Sequence, residues 1–122
     1  MRNLFLAIGP LLSAVAVLAG AFGAHGLKSR LDPTALELWE TAARYLMYSG
    51  LGVTLVGLLS MQSELRGYQI AGWTLLLGAM VFCGTVGALA LGGPRWLGAV
   101  TPIGGLLMII GFGVIGWTSL KL

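Results

Sequence analysis

GYQIAGWTLLLGAMVFCGTVGALALGGP, residues Gly67 to Pro94, runs for 28 positions without one charged side chain. A helix needs about 20 apolar residues to cross a hydrocarbon core about 30 Å thick. The stretch is long enough to cross once and too short to cross twice. Strands fit poorly, because membrane strands alternate apolar and polar residues over about ten positions. Here the run is apolar throughout. In lipid the backbone polar groups must be paired within the segment, and a helix does this.

The same reading extends in both directions. No charge falls between Asn3 and Ala24, between Tyr45 and Ser63, or between Trp96 and Leu120. Each gap admits one span. The expected architecture is an all-α membrane protein with four transmembrane helices in a compact bundle. The chain forms a single domain over 1–122, with spans at about 4–23, 44–62, 69–91 and 100–120. Arg2 followed by an apolar run and small residues resembles a signal peptide, but the run exceeds the usual length of such a core. It is read as a retained helix.

Composition agrees. Hydrophobic residues make up 57% of the 122, and charged residues 9%, against about a quarter in soluble domains. Such a chain is neither disordered nor able to cover a soluble surface. Its net charge of +3 comes from seven basic and four acidic residues. That is no basic patch, and nucleic acid is not expected as a partner; the lipid bilayer is. Four spans place Arg2, Arg66 and Lys121 on one side and Lys28, Arg30, Arg44 and Arg95 on the other. A count of three against four sets no orientation.

Six of the eleven charges lie between Lys28 and Arg44. Asp32-Pro33 reads as a helix start, with Asp as N-cap and Pro at the first helical position. Leu36, Trp39 and Ala43 form an apolar stripe, and Arg44 stands four residues after Glu40, a spacing that allows a salt bridge. An amphipathic interfacial helix at about 33–43, between the first and second spans, is expected. No Gly or Pro interrupts it before Gly50. Trp39, Tyr45 and Tyr48 suit the headgroup region.

Helices in lipid associate by close packing, which small residues permit. Gly9, Ser13, Ala16, Gly20 and Gly23 make such a seam on the first span. Gly72, Ala79, Cys83, Gly87 and Ala90 make one on the third, and Thr101, Gly104, Gly105, Gly111 and Gly113 one on the fourth. Thr101-Pro102-Ile103-Gly104-Gly105 is also a candidate helix break, since Pro removes a donor. Its expected place near a helix start makes that loss cheap.

Groups able to do chemistry are few. One histidine, His25, and one cysteine, Cys83, are too few for a metal site made by the protein alone, and Cys83 is expected in mid-span as an inert thiol. If the loop helix folds back, His25, Glu40, Arg44 and Tyr45 form a polar cluster at the membrane surface. No ionisable group is expected at mid-bilayer, where ion-coupled transporters carry one. Phosphate loops, dinucleotide fingerprints and zinc spacings are absent. No cofactor is expected, and the chain is read as a non-enzyme.

Gly20-Ala21-Phe22-Gly23-Ala24-His25-Gly26, Trp39-Glu40-Thr41-Ala42 with Arg44-Tyr45, Leu89-Ala90-Leu91, and Thr101-Pro102-Ile103-Gly104-Gly105 resemble, in order, domain-of-unknown-function family 423. These are small bacterial membrane proteins, similar to the eukaryotic transmembrane protein 256. The resemblance covers nearly the whole chain. It implies four membrane helices, usually in the bacterial inner membrane, and no established activity. Two departures stand out. Ser49 occupies a position where histidine is common in the family, and Phe82-Cys83-Gly84-Thr85-Val86-Gly87 replaces a Phe-Ser-Gly-Ser-Leu-Tyr pattern.

The function expected from these features is helix association, as an accessory subunit of a membrane complex or as a small oligomer. The alternative is a passive channel or transporter for ions or small molecules, or a lipid-binding protein. There His25, Glu40 and Arg44 would line the mouth, and Thr101–Gly105 the wall.

Overall fold

The computed structural model describes residues 2–122. It contains four long helices: α1 (Arg2–Phe22), α2 (Pro33–Gln62), α3 (Arg66–Ala90) and α4 (Leu97–Ser119). All four are long and apolar enough to cross a bilayer, and the described residues contain no strand. The all-α four-helix architecture expected from the charge-free gaps is the one found.

Each helix packs on its neighbours in sequence: α1 on α2, α2 on α3, and α3 on α4. The contacts run in opposite directions along each pair, so the helices alternate in direction. Along α1 and α2, for example, Leu6 meets Gly57, Gly9 meets Thr54 and Gly50, and Gly23 meets Trp39.

The connections follow from local chemistry. Asp32 caps α2 by accepting the Ala35 N–H at 2.7 Å, with Pro33 opening the helix; this satisfies one of the four N–H groups that a helix start leaves unpaired. Ala90 ends α3 through a paired glycine stop. Gly92 takes a φ of +93° and donates to Leu89 O, and Gly93 donates to Ala88 O at 2.7 Å. This arrangement needs a residue free to adopt left-handed angles. Between α1 and the next loop, Gly23–Leu27 form a wider π-helical turn.

Two expectations take a definite form. Residues 33–43 are helical, and they run on into the second span without a break as the first three turns of α2, the outcome that the uninterrupted stretch to Gly50 allows. With no Gly or Pro from Thr34 to Ser49, nothing ends the helix before the span. At 30 residues α2 is about 45 Å long, about 15 Å more than the hydrocarbon core. The second concerns Pro102. It is the sixth residue of α4, and α4 runs unbroken through Thr101–Gly105. Pro102 therefore costs the bond that an N–H there would make to the Gly98 carbonyl. Thr101 Oγ1 adds a bond within the same turn, to Leu97 O at 3.0 Å.

The core is uneven. Phe5, Val53, Val56, Tyr68, Ala71, Leu75 and Ile115 form a large-residue cluster in the half of the bundle that holds both ends of the chain. Tyr68 is fully buried, and its hydroxyl pairs with Ser119 Oγ at 2.9 Å. In the opposite half the buried hydrophobic positions are Ala16, Leu27, Ala42, Ala43, Val86 and Ala90, small apart from Leu27 and Val86. Small side chains leave grooves there, and that half carries the polar residues of the first loop.

Candidate functional site

The packing seams come first, because they decide which small residues remain available for anything else. Added Cβ atoms at Gly9 and Gly50 would each run into the backbone of the facing helix, within 2.8 Å of Gly50 O and Gly9 O respectively. At Gly104 a Cβ would overlap the Phe82 backbone, and at Gly111 it would lie 2.7 Å from Leu75 Cγ. These glycines are spacers that let helices touch. Gly105 faces the Phe82 ring at 3.6 Å, an ordinary contact. Gly20, Gly87 and Gly113 differ: no described atom beyond the local turns of their own helix lies within 4 Å of where their Cβ would be.

Gly23 seats the indole of Trp39. A Cβ there would come within 2.7 Å of Trp39 Cδ1. The ring's Nε1–H donates to Ala19 O at 2.8 Å, and Phe22 packs edge-on against it. A buried indole needs such an acceptor. This lock ties the start of α2 to the end of α1 and sets the angle at which α2 leaves the loop.

Around the lock are three grooves. The first, of about 180 Å³, lies between α1 and α3 over α2. It is lined by Val15, Ala19, Trp39, Leu46, Cys83 and Gly87, all but Cys83 apolar. The second, of about 300 Å³, is lined by Ala16, Gly20, Glu40, Ala43, Arg44, Met47 and Tyr48. The third, of about 310 Å³, is lined by Tyr45, Tyr48, Phe82, Gly105, Ile109 and Phe112, with Ser49 and Met108 at its floor.

The residues of the expected polar cluster are distributed among these features. Glu40 and Arg44 share the second groove with Gly20. They form no ion pair with each other; Arg44 Nη2 instead donates to Thr41 Oγ1 at 3.3 Å. Both side chains are exposed, and an exposed pair gains little from closing. Tyr45 points into the third groove, against Phe82 at 5.1 Å and Tyr48 at 5.2 Å between ring centroids. His25 is exposed on the π turn and hydrogen-bonds to no described residue.

Two polar contacts and one packing contact carry no clear sequence signal. Ser49 is fully buried and donates to Met108 Sδ at 3.0 Å, at the position where the family resemblance leads to histidine. Thr85 and Thr101 pair at 2.6 Å across α3 and α4. The seat of Trp39 on Gly23 joins residues 16 apart, and only the stretch Gly20–Gly26 followed by a lone tryptophan hints at it. Among the described residues no three His, Cys, Asp or Glu side chains converge on a point that could hold a metal.

Residues 19–105 match the family described as "Protein of unknown function (DUF423)". A UPF0382 membrane protein of Staphylococcus epidermidis is 44% identical over 119 residues, 98% of this chain and 97% of the relative. One from Staphylococcus haemolyticus is 45% identical over 110 residues, 90% and 89% of the two chains. One from Staphylococcus saprophyticus is 42% identical over 110 residues, 90% and 91%. No solved structure matches. The match spans the loop, the Trp39 lock and the α3–α4 seam as far as Gly105, and the chain belongs to the DUF423 family of multi-pass membrane proteins.

Proposed function

We propose that this protein works without catalysis, by helix association in the bacterial inner membrane, as an accessory subunit of a membrane complex or as a small oligomer. The reading is carried by the outer face of α4. Leu106, Ile109, Gly113, Gly116 and Leu120 fall on one stripe of that helix, and all five are exposed. A glycine within a helix costs about 1 kcal/mol relative to alanine. At Gly104 the cost is offset, because the missing Cβ admits Phe82. At Gly113 and Gly116 no described atom beyond the local turns of α4 itself lies within 4 Å of the Cβ position, so no packing against another helix of the monomer is gained in return. A second helix pressed onto the stripe supplies the missing contact, since membrane helices associate by such close approach.

Most interior hydroxyls are engaged structurally: Thr85 with Thr101, Tyr68 with Ser119 and Ser49 with Met108, while Ser13 Oγ and Ser60 Oγ are buried without a partner. Isolation in mild detergent under native conditions, followed by mass determination, tests the reading. A mass above one chain is expected, falling to one chain when Gly113 and Gly116 are both replaced by Leu. A lone wild-type monomer counts against it.

A further inference from the structure

We infer that the groove between α1 and α2 holds the headgroup of an aminophospholipid, one whose phosphate is followed by a primary ammonium. The inference concerns the open face of α2 and is independent of the α4 stripe. Glu40, Arg44, Tyr48, Leu51 and Leu55 lie on that face and are exposed. Glu40, Arg44 and Tyr48 line the groove itself, whose α1 wall is Ala16 and Gly20.

The order of these side chains along α2 is the order of groups in the lipid. α2 starts outside the span at Pro33 and descends, so Glu40 is the shallowest of them and Arg44 lies about 6 Å deeper. Tyr48 is a further turn down, and Leu51 and Leu55 lie beyond it. An aminophospholipid presents its ammonium outermost, then phosphate two carbons below, then ester carbonyls, then hydrocarbon. A carboxylate thus meets the ammonium, and a guanidinium, whose fork matches phosphate oxygens, meets the phosphate. The Tyr48 hydroxyl hydrogen-bonds to no described residue, and at its depth it can donate to an ester carbonyl. The leucines face the chains.

Two features leave the groove free for this occupant. Glu40 and Arg44 are not paired with each other, so neither charge is already neutralised by its neighbour. Gly20 has nothing within 4 Å of its missing Cβ, so the α1 wall is flat at the level of the charges. Phosphatidylglycerol sets an uncharged glycerol against Glu40 in place of the ammonium, so it keeps the phosphate contact to Arg44 but loses the charge contact to Glu40.

The full-length protein is reconstituted in nanodiscs containing phosphatidylethanolamine and phosphatidylglycerol in equal amounts with matched acyl chains. Native mass spectrometry then counts the lipids of each class that stay bound on release. The wild type should retain phosphatidylethanolamine in preference, by a factor of up to about five for one surface-level charge contact. Glu40→Gln should abolish or reverse the preference. Arg44→Gln should reduce retention of both lipids, and Gly20→Leu should remove retention by filling the groove; since the space around Gly20 is empty, helix content by circular dichroism should not change. Equal retention by the wild type, a wild-type preference for phosphatidylglycerol, or a preference that survives Glu40→Gln would each overturn the assignment.

Discussion

Replacing Gly50 by Ala tests whether the α1–α2 seam is built as described. The added methyl would lie 2.8 Å from Gly9 O and 2.8 Å from Ser13 N, and closer still to Ser13 Oγ. Two of these three neighbours are backbone atoms, which cannot rotate aside. A carbon–oxygen contact relaxes at about 3.3 Å, so α1 must withdraw by about 0.5 Å. That withdrawal also loosens Leu6 against Gly57 and Gly9 against Thr54, which share the seam. Overpacking of this kind costs about 1–3 kcal/mol, and alanine returns about 1 kcal/mol of helix propensity. The net expectation is a loss of about 1 kcal/mol. Gly84→Ala is the matched control. It lies mid-helix in α3 with nothing within 4 Å, and it should gain the propensity with no clash. The two variants should therefore differ by about 2 kcal/mol. Unfolding in mixed micelles with rising SDS fraction, followed by far-UV circular dichroism, measures both. If Gly50→Ala is as stable as Gly84→Ala, the seam is not as tight as the geometry requires.

Three further substitutions probe single devices. Trp39→Phe keeps an aromatic ring on Gly23 but loses the bond to Ala19 O, and should cost about 1 kcal/mol in the same unfolding assay; an unchanged midpoint would show the bond to be idle. Asp32→Ala removes the cap on Ala35 N–H and should cost about 1 kcal/mol, seen as faster amide exchange over residues 34–36 while the rest of α2 is unaffected. Gly92→Ala forces a side chain onto a φ of +93° and should cost about 1–2 kcal/mol, read as a lower Tm; no shift would mean that the turn re-forms with another geometry.

The fold was largely legible, because a bilayer makes charge placement nearly sufficient. Charge-free runs such as Gly67–Pro94 decide where helices cross, and few residues elsewhere compete. The glycine seams were only half legible. Gly9, Gly20 and Gly113 look alike in sequence, each small and spaced three or four residues from another small residue. Yet a Cβ at Gly9 would meet Thr54, while at Gly20 and Gly113 it would meet no described atom beyond the local helix. Periodicity gives a face but not what stands opposite it. The start of α4 lies three residues before the expected one for a related reason. Pro94 and Gly93 mark a stop clearly, but the helical turns of α4 start at Leu97, earlier than apolar content alone suggests. The polar cluster depends on the loop helix folding back over the first span. Helix geometry separates its members, since Arg44 and Tyr45 are consecutive and therefore point about 100° apart around α2. That difference sends one to the α1 groove and the other to the α4 groove. The Trp39 lock depends on a contact across the loop, which no local pattern specifies.

The central claim is that α4 presents its Gly113–Gly116 stripe to another helix. The most direct measurement places a photo-cross-linking residue, benzoylphenylalanine, at Ile109, on the stripe, and separately at Leu18, on an exposed face of α1. Irradiation in intact membranes of cells making the protein at native level, followed by gel analysis, should give a discrete adduct of higher mass from position 109 and none from position 18. An absence of any adduct at 109, or equal adducts at both positions, would contradict helix association through α4.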